Sequence, residues 1–198
     1  MQSYKSAKAL KRAGWFGLLA IVWLVCPRAP AQTNATPDLQ ITDLHATSGK
    51  PYVAAPGAFV PDGLQYIDRD YTFNFIPAFL KGQTLIRTAG NDKSILEDQP
   101  CLSFRANVPV TVYVLYGDKL RILPDWLRQF TDTRWKVTRK DTNAATLKGF
   151  FTLFSKEFPA GVISLNGNLS KQMAEDAEFK RLKGSTFCMY SIVVVAKH

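Results

Sequence analysis

Between Tyr66 and Trp135 the chain carries four short apolar runs, YTFNF, TLIRTA, CLSFRA and VTVYVLY, followed by the aromatic turn LPDWLRQF. The runs are β-branched or aromatic and are separated by Gly, Pro, Asn or Asp, the pattern of antiparallel strands. LQITDLHA precedes them as a further strand, and Tyr52 to Val60, which contains Pro56 and Gly57, reads as an edge segment, because proline cannot donate to a central ladder. In Tyr66 to Phe75 the alternation sets Tyr71, Phe73 and Phe75 against Thr72 and Asn74. The joins at Asn107-Val108-Pro109 and Pro159-Ala160-Gly161 are short enough for antiparallel neighbours on either side of each. Pro124 to Phe130 predicts a short helix, Lys171 to Lys183 a charged surface helix or insert, and the unbroken run Phe187 to Ala196 a central strand. Amphipathic helices of about 10 to 12 residues between strands, which parallel crossovers require, are missing from the pattern. The predicted architecture is all-β, an antiparallel β-sandwich or jelly roll with one or two short helices.

The N-terminus obeys different rules. Lys5, Lys8, Lys11 and Arg12 precede an apolar run from Ala13 to Cys26, and Ala29-Pro30-Ala31 supplies small residues at cleavage positions. This is the arrangement of a secretory signal peptide over 1–31. The apolar run is short for a span of about 20 residues, so membrane contact is expected only if this segment stays uncleaved. Residues 32–37 read as a flexible leader and 38–198 as a single domain; the expected location is secreted or periplasmic. Five basic residues and no acidic one leave with the signal, so 20 Lys and Arg then face 16 Asp and Glu and the net charge falls from +9 to +4. That balance gives no argument for a nucleic-acid partner. Cys101 and Cys188 remain, an even pair that in an oxidising compartment forms a candidate disulfide, worth about 4 to 5 kcal/mol on the chain-entropy model. Two free thiols are the alternative.

Histidine chemistry has little material, since His45 and the terminal His198 are the only two, and no nucleophile, zinc or phosphate-loop motif occurs. Asp68 and Asp70 fall on one side of an extended chain and are candidate ligands for a structural calcium. The competing reading pairs them with Arg69, Arg87 or Lys93. Trp126 and Trp135 flank a turn and could stack on the C–H face of a pyranose, with Arg121 and the Asn91-Asp92-Lys93 turn supplying hydrogen bonds. Tyr113, inside VTVYVLY, reads as a core residue.

The succession YIDRDYTFNFIPAFLKGQTLIRTAGNDK, CLSF, PVTVYVLYGDKLRILPDWLRQFTDT, LFSKEFPAGVISLNGN and MYSIVVV resembles a family of secreted bacterial β-sandwich domains, similar to galactose-binding jelly rolls. Such domains are often appended to polysaccharide lyases and glycosidases. The resemblance covers about Gly63 to Ala196 and implies a non-catalytic module that binds a polysaccharide or glycan. Two departures stand out: Gly90 displaces the expected asparagine of Thr-Ala-Asn by one position, and a charged insert follows Asn168. A structural or protein-interaction module docking an envelope protein is the alternative, and a small polysaccharide lyase or hydrolase the third.

Overall fold

The computed structural model describes residues 38–141, 147–182 and 187–197. The signal peptide and leader expected over 1–37 lie outside the described residues. Among the described residues ten strands form: β1 (Ile41–Ala46), β2 (Val53–Ala55), β3 (Tyr71–Phe75), β4 (Thr84–Arg87), β5 (Pro100–Ala106), β6 (Val110–Gly117), β7 (Thr131–Asp141), β8 (Leu147–Phe158), β9 (Gly161–Asn166) and β10 (Ser191–Ala196). Two short helices, α1 (Lys171–Glu175) and α2 (Ala177–Leu182), occupy the charged insert. Among the described residues no helix is long and apolar enough to cross a membrane.

The strands build a small sheet, β1-β5-β9, and a large one, β2-β4-β10-β6-β8-β7-β3. All pairings within them are antiparallel, as an all-β sandwich requires. Leu102, Phe104, Ile163 and Leu165 of the small sheet pack on Val112, Val114, Ile192 and Val194 of the large one and form the inner core. The opposite face of the large sheet is covered by a layer of loop. There Leu85, Leu115, Val137, Leu153 and Val193 lie beneath Phe59, Ile76 and Leu80. Burial on both faces explains why β10 reads SIVVVA without alternation: Ile192 and Val194 face one core and Val193 the other.

Two expected pairings do not form. β5 and β6 are joined by Asn107-Val108-Pro109, yet they lie in different sheets. Asn107 remains tied to the chain entering β1: its Oδ1 accepts from the Gln40 amide at 2.7 Å and its Nδ2 donates to Asp38 O at 2.9 Å. The chain turns there and crosses to the other layer. β8 and β9 part in the same way after Pro159, and β8 instead pairs with β7 and β6.

Local differences have local causes. A register shift between Phe73 and Phe75 breaks the alternation of β3, burying Thr72 and leaving Phe75 exposed. The expected helix over 124–130 reduces to one 3-10 turn, Leu127–Gln129, which places Leu127 in the inner core. Cys101 and Cys188 are free thiols, so the expected disulfide is absent. Their surroundings differ: the Cys101 thiol lies near Tyr52 and Tyr190, whereas Cys188 lies near Arg139.

Candidate functional site

The most distinctive surface feature begins as an irregularity in β7. Thr131 and Asp132 pair with Ser155 and Phe154, and pairing resumes only at Lys136 with Thr152, so three residues of β7 face one of β8. Side chains replace the missing ladder bonds. Thr133 Oγ1 donates to Leu153 O at 2.8 Å, Asp132 Oδ1 accepts from the Arg134 amide at 2.8 Å, and the Trp135 amide donates to Thr133 Oγ1 at 3.2 Å. Arg134 adopts φ 61°, in the left-handed region that non-glycine residues rarely enter. Bulges of this kind re-aim side chains. Here the result is an indole that is 50 % exposed.

Trp135 does not stand alone. Phe79, 49 % exposed on the 3-10 turn Ala78–Leu80, meets it edge to face with centroids 5.5 Å apart. Tyr113 meets Phe79 at 6.2 Å. Val193, Tyr113, Ser155 and Thr131 are directly paired across β10, β6, β8 and β7, so they share the outer face of the large sheet. The next row is Val195, Thr111 and Glu157. Glu157 is ion-paired with Lys197. Burial, with a smaller contribution from the Glu157 charge, pushes the Tyr113 phenol above its ordinary range, so it is a hydrogen-bonding hydroxyl at neutral pH. The outer face thus presents three aromatic rings beside the hydroxyls of Thr111, Tyr113, Thr131 and Ser155 and one carboxylate. Apolar ring faces bordered by hydroxyls and a carboxylate suit a polar ligand that also has apolar C–H faces.

The other predicted site residues lie elsewhere. Trp126 is half-buried; its Nε1 donates to Gly167 O at 2.8 Å and its ring packs on Phe130 and Tyr190. It borders a separate groove of about 240 Å³ with Lys156 and Asn166. Arg121 borders a depression of about 310 Å³ on the inner-face side, where Lys136 and Thr152 engage Asp118, and it is itself paired with Glu178 at 2.7 Å. Asn91, Asp92 and Lys93 occupy the 3-10 turn Gly90–Ser94, which acts as a clasp. Asp92 accepts from Ser48 Oγ at 2.6 Å, from Tyr52 Oη at 2.7 Å and from Lys50 Nζ. Burial alone would raise the Asp92 carboxyl, but these hydrogen bonds and the Lys50 charge hold it below the usual carboxylate range.

Asp68 is engaged by the backbone and Asp70 stands apart from it. The Asp68 oxygens accept from the Gly90 and Asn91 amides at 2.7 and 3.1 Å, and Asp70 is exposed on the approach to β3. Among the described residues no group of three or more Asp, Glu, His or Cys gathers that could hold a metal ion. The glycine in the displaced motif also has its reason here, because a Cβ at Gly90 would lie 2.6 Å from Arg69 Nε. Arg69 in turn donates to Asn91 Oδ1.

Of the sequence-predicted contacts, Trp135 alone belongs to the outer aromatic face. Phe79, Ser155, Thr131 and Glu157 were not legible as its partners, since only sheet register brings them together. Asn168, fully buried, was also missed. Its Oδ1 accepts from the Tyr190 amide at 3.2 Å, its Nδ2 donates to Lys93 O at 3.2 Å, and its carbonyl accepts from Tyr116 Oη at 3.0 Å.

No family model matches the chain, and no curated protein matches it in sequence. Among solved structures, a β-glucuronidase from glycoside hydrolase family 2 overlays on 79 % of this chain, with 19 % identity and a TM-score of 0.63. The likeness is one of fold. This chain spans only 15 % of that enzyme's length. A GH138 enzyme targeting pectin rhamnogalacturonan II overlays more loosely, on 81 % of this chain and 17 % of its own, with 16 % identity and a TM-score of 0.40.

Proposed function

We propose that this chain is an exported, non-catalytic carbohydrate-binding module whose ligand lies on the outer face of the large sheet. The observation that carries the reading is the exposed Trp135–Phe79 pair, held outward by a bulge with a left-handed arginine at its centre. A pyranose stacks its C–H face on the indole, and its hydroxyls reach Tyr113, Ser155, Thr131 and Glu157. The fold likeness to part of a β-glucuronidase agrees with a module of carbohydrate-active proteins. A non-catalytic role is supported by lysines on three of the carboxylates beside the surface depressions and the outer face: Asp92 holds Lys50, Asp118 holds Lys136 and Glu157 holds Lys197. The expected location is secreted or periplasmic, from the N-terminal pattern.

A glycan array and polysaccharide pull-down with the purified protein, with and without calcium, tests this. Wild-type binding that is lost in Trp135→Ala and Phe79→Ala, kept in Trp126→Ala and indifferent to calcium is the expected result. Binding that survives Trp135→Ala would refute the site. Silence across neutral and acidic glycans would favour the second reading, an envelope protein-interaction module. That reading has its own observation: Phe75, Thr138 and Phe150 are directly paired across β3, β7 and β8, and both phenylalanines are about half exposed.

A further inference from the structure

A second feature of β7 has no part in the aromatic face. Arg139 is 6 % exposed, and its guanidinium lies over three rings, 4.4 Å from the Tyr71 centroid, 5.3 Å from Phe151 and 5.6 Å from Tyr66. Its Nη1 donates to Tyr66 Oη at 3.2 Å, while Nε, equally buried, has no hydrogen-bond partner. None of the ion pairs among the described residues includes Arg139. A buried charge without a countercharge is costly. Ring faces offset part of that cost but bring no negative charge.

The same guanidinium borders a cavity of about 30 Å³, shared with Lys119, Phe150, Phe151 and Cys188. That volume holds roughly one water-sized particle. Arg139 and Lys119 put two cationic side chains on its wall, beside Leu120, Cys188 and the rings of Phe150, Phe151 and Phe187. We infer that this cavity is a binding site for a monatomic anion of the halide class, which accepts the free Nε–H of Arg139. The anion supplies the missing countercharge where the ends of β6, β7 and β8 meet the segment leading into β10.

Bromide serves as the probe. Crystals of the full chain grown in bromide are expected to show an anomalous peak within hydrogen-bond distance of Arg139 Nε. In solution, replacing gluconate by bromide at constant ionic strength should raise the unfolding temperature saturably. Arg139→Gln should weaken the apparent affinity about tenfold or more, the factor expected from one charge-assisted hydrogen bond. Lys119→Ala should weaken it less. An ordered water and no peak in the wild-type cavity would overturn the inference, as would a saturable shift unchanged in a folded Arg139→Gln. If Arg139→Gln does not fold, the wild-type anomalous map decides. Cys188→Ser gives an independent check: bromide entering only that variant would show that the Cys188 sulfur fills the position and sink the halide site.

Discussion

Replacing Asp92 with alanine removes the acceptor shared by Ser48, Lys50 and Tyr52. Tyr52 is buried, and its hydroxyl would lose this acceptor. An unsatisfied buried hydroxyl costs about 1 to 3 kcal/mol. The Lys50 side chain is 37 % exposed, so solvent screening limits its share to about 0.5 to 1 kcal/mol. Ser48 is exposed and rehydrates at little cost. The expected loss is therefore about 1.5 to 4 kcal/mol, or roughly 3 to 16 °C in Tm for a domain of this size. The pH dependence is the sharper test. The folded Asp92 carboxyl lies below its ordinary value, so its contribution is complete above that value, near pH 4, and is lost as pH falls through the depressed folded pKa. Urea unfolding of wild type and Asp92→Ala from pH 7 to pH 2 should show a constant gap down to about pH 5 that narrows below about pH 4. A gap under about 1 kcal/mol at pH 7, or one unchanged in acid, would refute the clasp.

Gly167→Ala should abolish cooperative folding, because a Cβ there would lie 2.2 Å from Leu96 O and 2.4 Å from Ile95 O, both backbone atoms; thermal melts and soluble yield report it. Trp126→Phe should cost about 1 kcal/mol through the lost bond to Gly167 O, whereas Trp135→Phe should change stability by less than about 0.5 kcal/mol, as denaturant titration would show. Burial pushes the Cys101 thiol up to about 11, so at pH 8 the native protein should alkylate there about two orders of magnitude more slowly than the unfolded chain. Timed iodoacetamide labelling with peptide mapping measures the ratio.

Strand identity was written in the sequence. Short β-branched and aromatic runs punctuated by Pro, Gly, Asn and Asp fixed an all-β chain, and the unbroken SIVVVA fixed an interior strand, because local periodicity records how many faces of a strand are buried. Which strands pair was not written there. The short joins after β5 and β8 predicted hairpins, and the chain crosses between sheets at both, since a join's length limits reach but does not choose a layer. The candidate site followed the same division. Trp135 could be singled out as an aromatic beside a turn, but its company of Phe79, Tyr113 and Ser155 exists only through register and a three-residue bulge. Asp92 was legible as a turn residue, yet the three donors that claim it lie 40 to 44 positions upstream. Arg139 gave no signal at all, because burial of a charge among rings is a property of packing. Sequence sets which residues seek the interior; only the closed structure decides which of them meet.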